Sequence, residues 1–192
     1  MRQASAVSPA FERPALPDPS PPPDFSELYE QYFDFVWRSA RRLGVPEASL
    51  DDVVQDVFVT VYRRLSAFEG RSQIKTWIFG ILRHTVRDLR RTQRRKPTEA
   101  LEHDPVAPHE GGPQEAVARE QASRLLHAVL LELNDELREV FVLSELEQMS
   151  APEVSAALSV NVNTVYSRLR TARKEFDAAL KRLRVRDEWR SR

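Results

Sequence analysis

The sequence predicts an all-α fold: two small helical bundles joined by a flexible linker. Three observations predict it. Apolar residues recur at three- and four-residue spacing through both halves of the chain. No stretch combines strict alternation with hairpin turn chemistry. Pro concentrates in 1–24, and Pro, Gly and acidic residues in 97–113, the segments that precede and separate the periodic regions. A length of 192 residues suits one or two small domains rather than one large core. The predicted organisation is a disordered Pro-rich tail over 1–24, a first module over 25–96, an acidic linker over 97–119, a second module over 120–186 and a short tail over 187–192.

The tail holds more than half of the 13 Pro and little apolar periodicity, which fits a disordered or polyproline-like segment. The first helix runs from Phe25 to Leu43, with Leu28, Tyr32, Phe35, Val36 and Ala40 at helical spacing, and Gly44 and Pro46 end it. Ser49 is positioned to cap the next helix, whose first turn carries Asp51 and Asp52 and which extends to Leu65. A loop, Ser66–Gln73, precedes a long helix from Ile74 to Arg95, stopped by Pro97. In the second module Leu125, Leu126, Val129, Leu130 and Leu133 form one stripe, and Leu137, Val140, Phe141 and Leu143 a second after Asn134. Ser150 and Glu153 have capping-box spacing ahead of a short helix, Ala151–Leu158, with Pro152 in its first turn. Ser159–Asn161 is a tight turn, and Asn161 caps a longer helix starting at Val162. Short helix, brief turn and longer basic helix form a helix-turn-helix pattern.

Composition excludes several functions. There is no Cys, hence no disulfide, thiol chemistry or Cys-based zinc site. His84, His103, His109 and His127 are scattered and show no metal-ligand spacing. Five Gly and no Gly-rich fingerprint argue against a phosphate-cradling loop, and no cofactor is expected. No apolar run reaches the ~20 residues of a membrane span, and no signal-peptide pattern precedes the first helix, so a cytoplasmic protein is expected. No pair of acids has a catalytic setting, so the chain reads as a non-enzyme. The formal net charge of zero conceals segregation: −5 over 1–62, +9 over 63–96, −10 over 97–163 and +6 over 164–192. Two basic blocks separated by acidic ones suggest two places that meet polyanion.

Three helical faces sharpen this. On a wheel of Leu50–Leu65, the residues Leu50, Val54, Val57, Phe58, Val61 and Leu65 share the core side. Asp52, Gln55, Asp56, Val59 and Arg63 share the other side, an acidic and polar surface with an exposed Val at its centre. On Ile74–Arg95, the core side takes Ile74, Trp77, Ile78, Ile81, Leu82, Thr85 and Leu89. The opposite side takes Thr76, Phe79, Arg83, Arg87, Arg90 and Arg94, with Arg91 beside it. Arginine forks suit phosphate. An exposed Phe79 among them is expected to stack on an unpaired base, worth ~1–3 kcal/mol. Only Asp88 lies near enough in that helix to neutralise the arginines locally. On the helix from Val162, the residues Val162, Val165, Leu169, Ala172 and Phe176 point inward. Asn163, Thr164, Ser167, Thr171 and Lys174 point outward, flanked by Arg168 and Arg170. Small polar residues at a helix start approach base edges in a major groove while flanking cations hold phosphates.

Taken together these segments resemble bacterial sigma factors of the extracytoplasmic-function (ECF) type. DDVVQDVFVTVYRRL (Asp51–Leu65) resembles the family's region 2.2. AFEGRSQIKTWIFGILRHTVRDLRRTQRR (Ala67–Arg95) resembles regions 2.3 and 2.4, and LELNDELREVFVLSELEQMSAPEVSAALSVNVNTVYSRLRTARKEF (Leu131–Phe176) resembles region 4. The resemblance implies that Asp52, Gln55 and Asp56 dock on the β′ clamp helices of core RNA polymerase, with the β flap a further polymerase contact. It implies that the loop Phe68–Gln73 pockets a flipped base of the −10 element, with Lys75, Thr76 and Trp77 beside it. It implies that the helix from Val162 reads the −35 element as duplex, whereas the −10 element is opened and read as single strand. It also implies an anti-sigma protein as partner, although no residue identifies one. His84 stands where the family usually has Asn, Ser159 where a turn Gly is common, and the Pro-rich tail lies outside the common pattern. Two rivals remain at this point. One is a stand-alone helix-turn-helix transcriptional regulator using residues 135–182 alone. The other is a helical adaptor that binds only proteins.

Overall fold

The structure is a computed structural model that describes residues 24–70, 72–95 and 113–190. The expected linker, 97–119, lies outside the described residues up to 112, and the expected tail, 1–24, up to 23, as do residues 191–192. Every regular element among the described residues is helical: α1 (Phe25–Arg42), α2 (Leu50–Arg64), α3 (Ile74–Arg95), α4 (Pro113–Glu132), α5 (Asp135–Phe141), α6 (Ala151–Leu158) and α7 (Val162–Arg190). Short 3-10 turns, Glu47–Ser49 and Leu65–Ala67, flank α2, and a π turn, Val142–Leu146, extends α5. The last part of the expected linker, 113–119, belongs to α4.

The helix boundaries follow from local chemistry. α1 ends in a Schellman motif: Val45 N–H donates to Ala40 and Gly44 N–H to Arg41, with Gly44 left-handed at φ 86°. α6 ends the same way, Val160 N–H donating to Ser155 and Ser159 N–H to Ala156. Here the left-handed position is filled by Ser159 at φ 55° rather than by Gly. A side chain in that region costs about 1–2 kcal/mol. Ser159→Gly should therefore stabilise the protein by about 0.5–1 kcal/mol once the extra freedom of Gly in the unfolded chain is counted. A urea titration showing a lower midpoint for the variant would contradict this.

The capping box at Ser150 and Glu153 is formed, and its hydrogen bonds from the Ser150 hydroxyl and backbone N–H hold the Glu153 carboxyl below its usual value. A depressed carboxyl contributes stability above its ordinary range and loses it as pH falls through the lowered value. Asn134 Oδ1 caps α5 through Leu137 N–H, and Asn161 Oδ1 caps α7 through Asn163 N–H. Ser49 does not cap α2: its side chain makes no capping bond, because the preceding 3-10 turn carries the chain straight into the helix.

α1, α2 and α3 form the first bundle around Phe35, Val36, Val57, Phe58, Val61, Ile78 and Leu82. α4, α5, α6 and α7 form the second, with Leu130, Leu133, Phe141 and Ala172 in one cluster and Val129, Ala179 and Leu183 in another. The two bundles are not apart. Val140, Leu143, Met149, Val154, Ala157, Leu158 and Val165 of the second module join the apolar cluster of the first. α6 packs directly on α3. Gly44 marks how close the modules come: a Cβ there would meet Leu131 Cδ2 at 2.9 Å and Arg138 Nη1 at 3.2 Å.

Candidate functional site

Three surfaces carry the sequence-predicted residues, and the structure treats them differently. On α2 the residues Asp52, Gln55, Asp56, Val59 and Arg63 are all exposed. The reason is the single apolar stripe of this helix, which turns Leu50, Val53, Val54, Val57, Phe58 and Val61 inward. Beside them stand two aromatic residues that the wheel did not single out, Tyr62 (67% exposed) and Tyr29 (42% exposed). Tyr62 packs edge-on against Phe25 at 5.2 Å, and Tyr29 lies 4.7 Å from Phe58, so the rings are held in place while presenting a face to solvent. Tyr62 lies three residues after Val59 on the same face, and that spacing was the available signal.

On α3 the expected outward face is corrected in part. Phe79 is fully buried, packed 6.4 Å from Phe35, and is not available to stack on a base. Thr76 is buried as well, and its hydroxyl has no hydrogen-bond partner among the described residues. Phe79 is covered by Phe35 of α1, and Thr76 lies where α6 packs against α3. Trp77 is half-buried and packs 5.1 Å from Phe68, so the loop and the helix start meet as the resemblance implies. Thr76, Trp77, His84, Arg64 and Ser159 line a cavity of about 570 Å³ where α3 faces α6.

The arginines of α3 have partners far away in the sequence. Arg83 Nε donates to Glu139 Oε2 at 2.8 Å, and Arg83 Nη1 donates to the Leu158 carbonyl at 3.0 Å. Arg87 reaches Glu139 at 3.3 Å, and Arg90 reaches Asp135 at 2.5 Å. Lys75 Nζ donates to the Glu147 carbonyl at 3.1 Å and lies 4.7 Å from the Phe35 ring centre. Arg42 completes the set, 2.5 Å from the Glu147 carboxylate; burial lowers its guanidinium from the ordinary value and Glu147 opposes that shift. The expectation that only Asp88 lies near enough to pair these cations holds for Arg91, at 3.4 Å, and fails for Arg83, Arg87 and Arg90. Arg94 is exposed.

On α7 the expected surface is open. Asn163, Ser167, Arg170, Thr171 and Lys174 are exposed, and Thr164 and Arg168 are half-buried. Arg168 is 2.6 Å from Glu136 of α5, which fixes its fork beside the helix start. Ser167 and Thr171 hydroxyls donate to the carbonyls of Thr164 and Ser167, at 3.0 and 3.1 Å. Tyr166, 59% exposed, shares this face with Asn163 and Arg170 and was missed; its three-residue spacing from Asn163 was the signal.

Comparison with known proteins gives this arrangement a family. The Sigma-70 region 2 model matches residues 28–96, and the Sigma-70 region 4 model matches residues 123–176. The chain is 33% identical over 164 residues to the RNA polymerase sigma factor CnrH of Cupriavidus metallidurans, covering 81% of this chain and 86% of that protein. It is 29% identical over 142 residues to the ECF RNA polymerase sigma-E factor of Escherichia coli K12, covering 69% and 74%. A solved structure of CnrH in complex with the cytosolic domain of CnrY superposes with a TM-score of 0.63 at 30% identity, over 82% of this chain and 87% of that one. Two helical modules in the order of regions 2 and 4, each matched by its own model, place this chain in the sigma-70 family of RNA polymerase initiation factors, among those of the ECF type.

Proposed function

We propose that this sigma factor grips core polymerase through the exposed face of α2 and reads the two promoter elements with separate helices. The observation that carries the reading is the open acidic and polar face of Asp52, Gln55, Asp56 and Arg63, with Val59 exposed at its centre and Tyr62 alongside. Carboxylates around a small apolar centre fit a basic helical partner, with an exposed aromatic as anchor. On that reading the partner is the β′ clamp helices, with the β flap engaging the second module.

In the −10 element, Phe68, Lys75 and Trp77 serve the loop and helix start, and Arg83, Arg87, Arg90 and Arg94 hold the phosphates of the opened strand. In the −35 element, Asn163, Thr164, Ser167 and Thr171 face base edges, and Arg168, Arg170 and Lys174 hold phosphates. The modules doing this work are 25–96 and the one that begins with α4, joined by the segment between them. The chain has no chemical step of its own; nucleotide addition belongs to the polymerase, and the work is cytoplasmic. No helix among the described residues is long and apolar enough to cross a membrane. CnrH was solved bound to CnrY, and a comparable anti-sigma partner is proposed for this chain.

Run-off transcription on a promoter library tests the reading. Purified core polymerase with this chain should yield discrete starts that the polymerase alone does not give. Operator binding without polymerase and no gain in transcription would favour the stand-alone regulator.

A further inference from the structure

The exposed aromatic residues beside the α2 face belong to one patch, and that patch sits where the chain enters α1. Phe25, half-buried, is the first residue of α1, and the rings of Tyr62 and Tyr29 lie 5.2 and 6.3 Å from its own. Phe33 and Phe58 back Tyr29 at 5.4 and 4.7 Å. Neighbouring rings thus fix Tyr29 and Tyr62 while both stay open to solvent. Contiguous exposed aromatic surface marks a place of contact rather than a solvated face.

The segment nearest to that surface is the one that leads into it. Residues 17–23, outside the described residues, read PDPSPPP, five Pro in seven positions. Pro fixes φ and has no N–H, so this run cannot prolong α1 and favours polyproline II geometry. Asp24, which joins it to α1, has φ −63° and ψ 136°, already in that region. Positions three apart share one edge of a polyproline II helix, which puts Pro19 and Pro22 about 9 Å apart on the same side. Such edges bind across exposed aromatic rings, at a small entropic cost because the conformation is preset. Only Asp24 separates the segment from Phe25, so its local concentration at the rings is high.

We propose that residues 17–23 dock as a polyproline II helix across Tyr29 and Tyr62 of the same chain, with Pro19 and Pro22 on the rings. Tyr62 borders the polymerase-docking face, so the docked tail covers an anchor that the polymerase has to uncover. That consequence rests on the function proposed above. The docking itself rests on the patch and on the sequence that leads into it.

Fluorine resonance tests both parts in the full-length chain. Its four tyrosines, Tyr29, Tyr32, Tyr62 and Tyr166, are replaced by 3-fluorotyrosine and assigned with single Tyr→Phe variants. Pro19→Gly with Pro22→Gly should move the signals of Tyr29 and Tyr62 and leave that of Tyr166, on α7, in place. Pro19→Gly alone, six residues ahead of α1, should move them in the same direction. Pro9→Gly with Pro14→Gly makes the same chemical change further along the tail and should move none of them. Unmoved signals, or an equal movement in the control pair, would overturn the docking. A difference that grows with protein concentration would give the patch to the tail of a second copy and overturn docking within one chain. The Pro19 and Pro22 variant should also bind core polymerase about three- to tenfold more tightly than the wild type, the factor by which a tail docked most of the time lowers the competent fraction. Moved signals with unchanged polymerase affinity would overturn the competition. Moved signals in a chain that never engages polymerase would sink the proposed function and leave the docking standing.

Discussion

Asp52→Arg combined with Gln55→Arg is expected to abolish co-purification with core RNA polymerase and to remove run-off transcription, while the protein stays folded. Both positions are exposed on α2, and neither side chain enters the core built by Val53, Val54, Val57 and Phe58. Substitutions at such sites usually change stability by no more than about 0.5 kcal/mol. Their effect on a partner is larger, because like charges brought together across an interface cost several kcal/mol. A binding loss of at least about 100-fold, or about 2.7 kcal/mol, is the expected size. Unfolding of the variant in urea should coincide with that of the wild type. Retained co-purification at wild-type levels would remove the α2 face from the docking surface.

Arg138→Ala should cost about 3–5 kcal/mol of folding stability, the largest effect of any single substitution proposed for this chain. Arg138 lies in α5, buried, and its guanidinium donates to the carbonyls of Leu130 at 2.7 Å, Leu133 at 2.7 Å and Leu131 at 3.2 Å. These are the last carbonyls of α4 and its exit, groups that have no partner within their own helix. The same guanidinium reaches the Leu43 carbonyl of the first module and, at 3.3 Å, Asp135. Burial, reinforced by the nearby Arg90, lowers its pKa from the ordinary value, and Asp135 and Glu139 oppose that shift. An arginine starts so high that it remains charged. Truncation strands several acceptors at once, which is why the cost exceeds that of one hydrogen bond. Arg138→Lys should recover only part of the loss, because one ammonium cannot reproduce the planar fork. Urea unfolding measures both variants, and a cost below about 1 kcal/mol for the alanine would show that water replaces the guanidinium.

The sequence determined the helices, most of their caps and the faces of α2 and α7. Those features are set by neighbours in the chain: a 3.6-residue repeat, a Ser or Asn before the first turn, a left-handed residue after the last. α2 and α7 each show outward faces that a wheel separates cleanly, and Asp52, Val59, Asn163 and Arg170 stand where the periodicity puts them.

Tertiary structure alone decided the fate of α3. A wheel assumes one buried side, but Phe35 of α1 covers Phe79 and α6 packs against α3 where Thr76 lies, so both are buried on what the repeat marks as the outside. Its arginines find carboxylates 45 to 56 residues away, at Asp135 and Glu139. No local pattern encodes such pairs, because charges choose partners by distance in space and not along the chain. The same holds for Arg138, a basic residue of α5, which is buried where the end of α4 meets the end of α1.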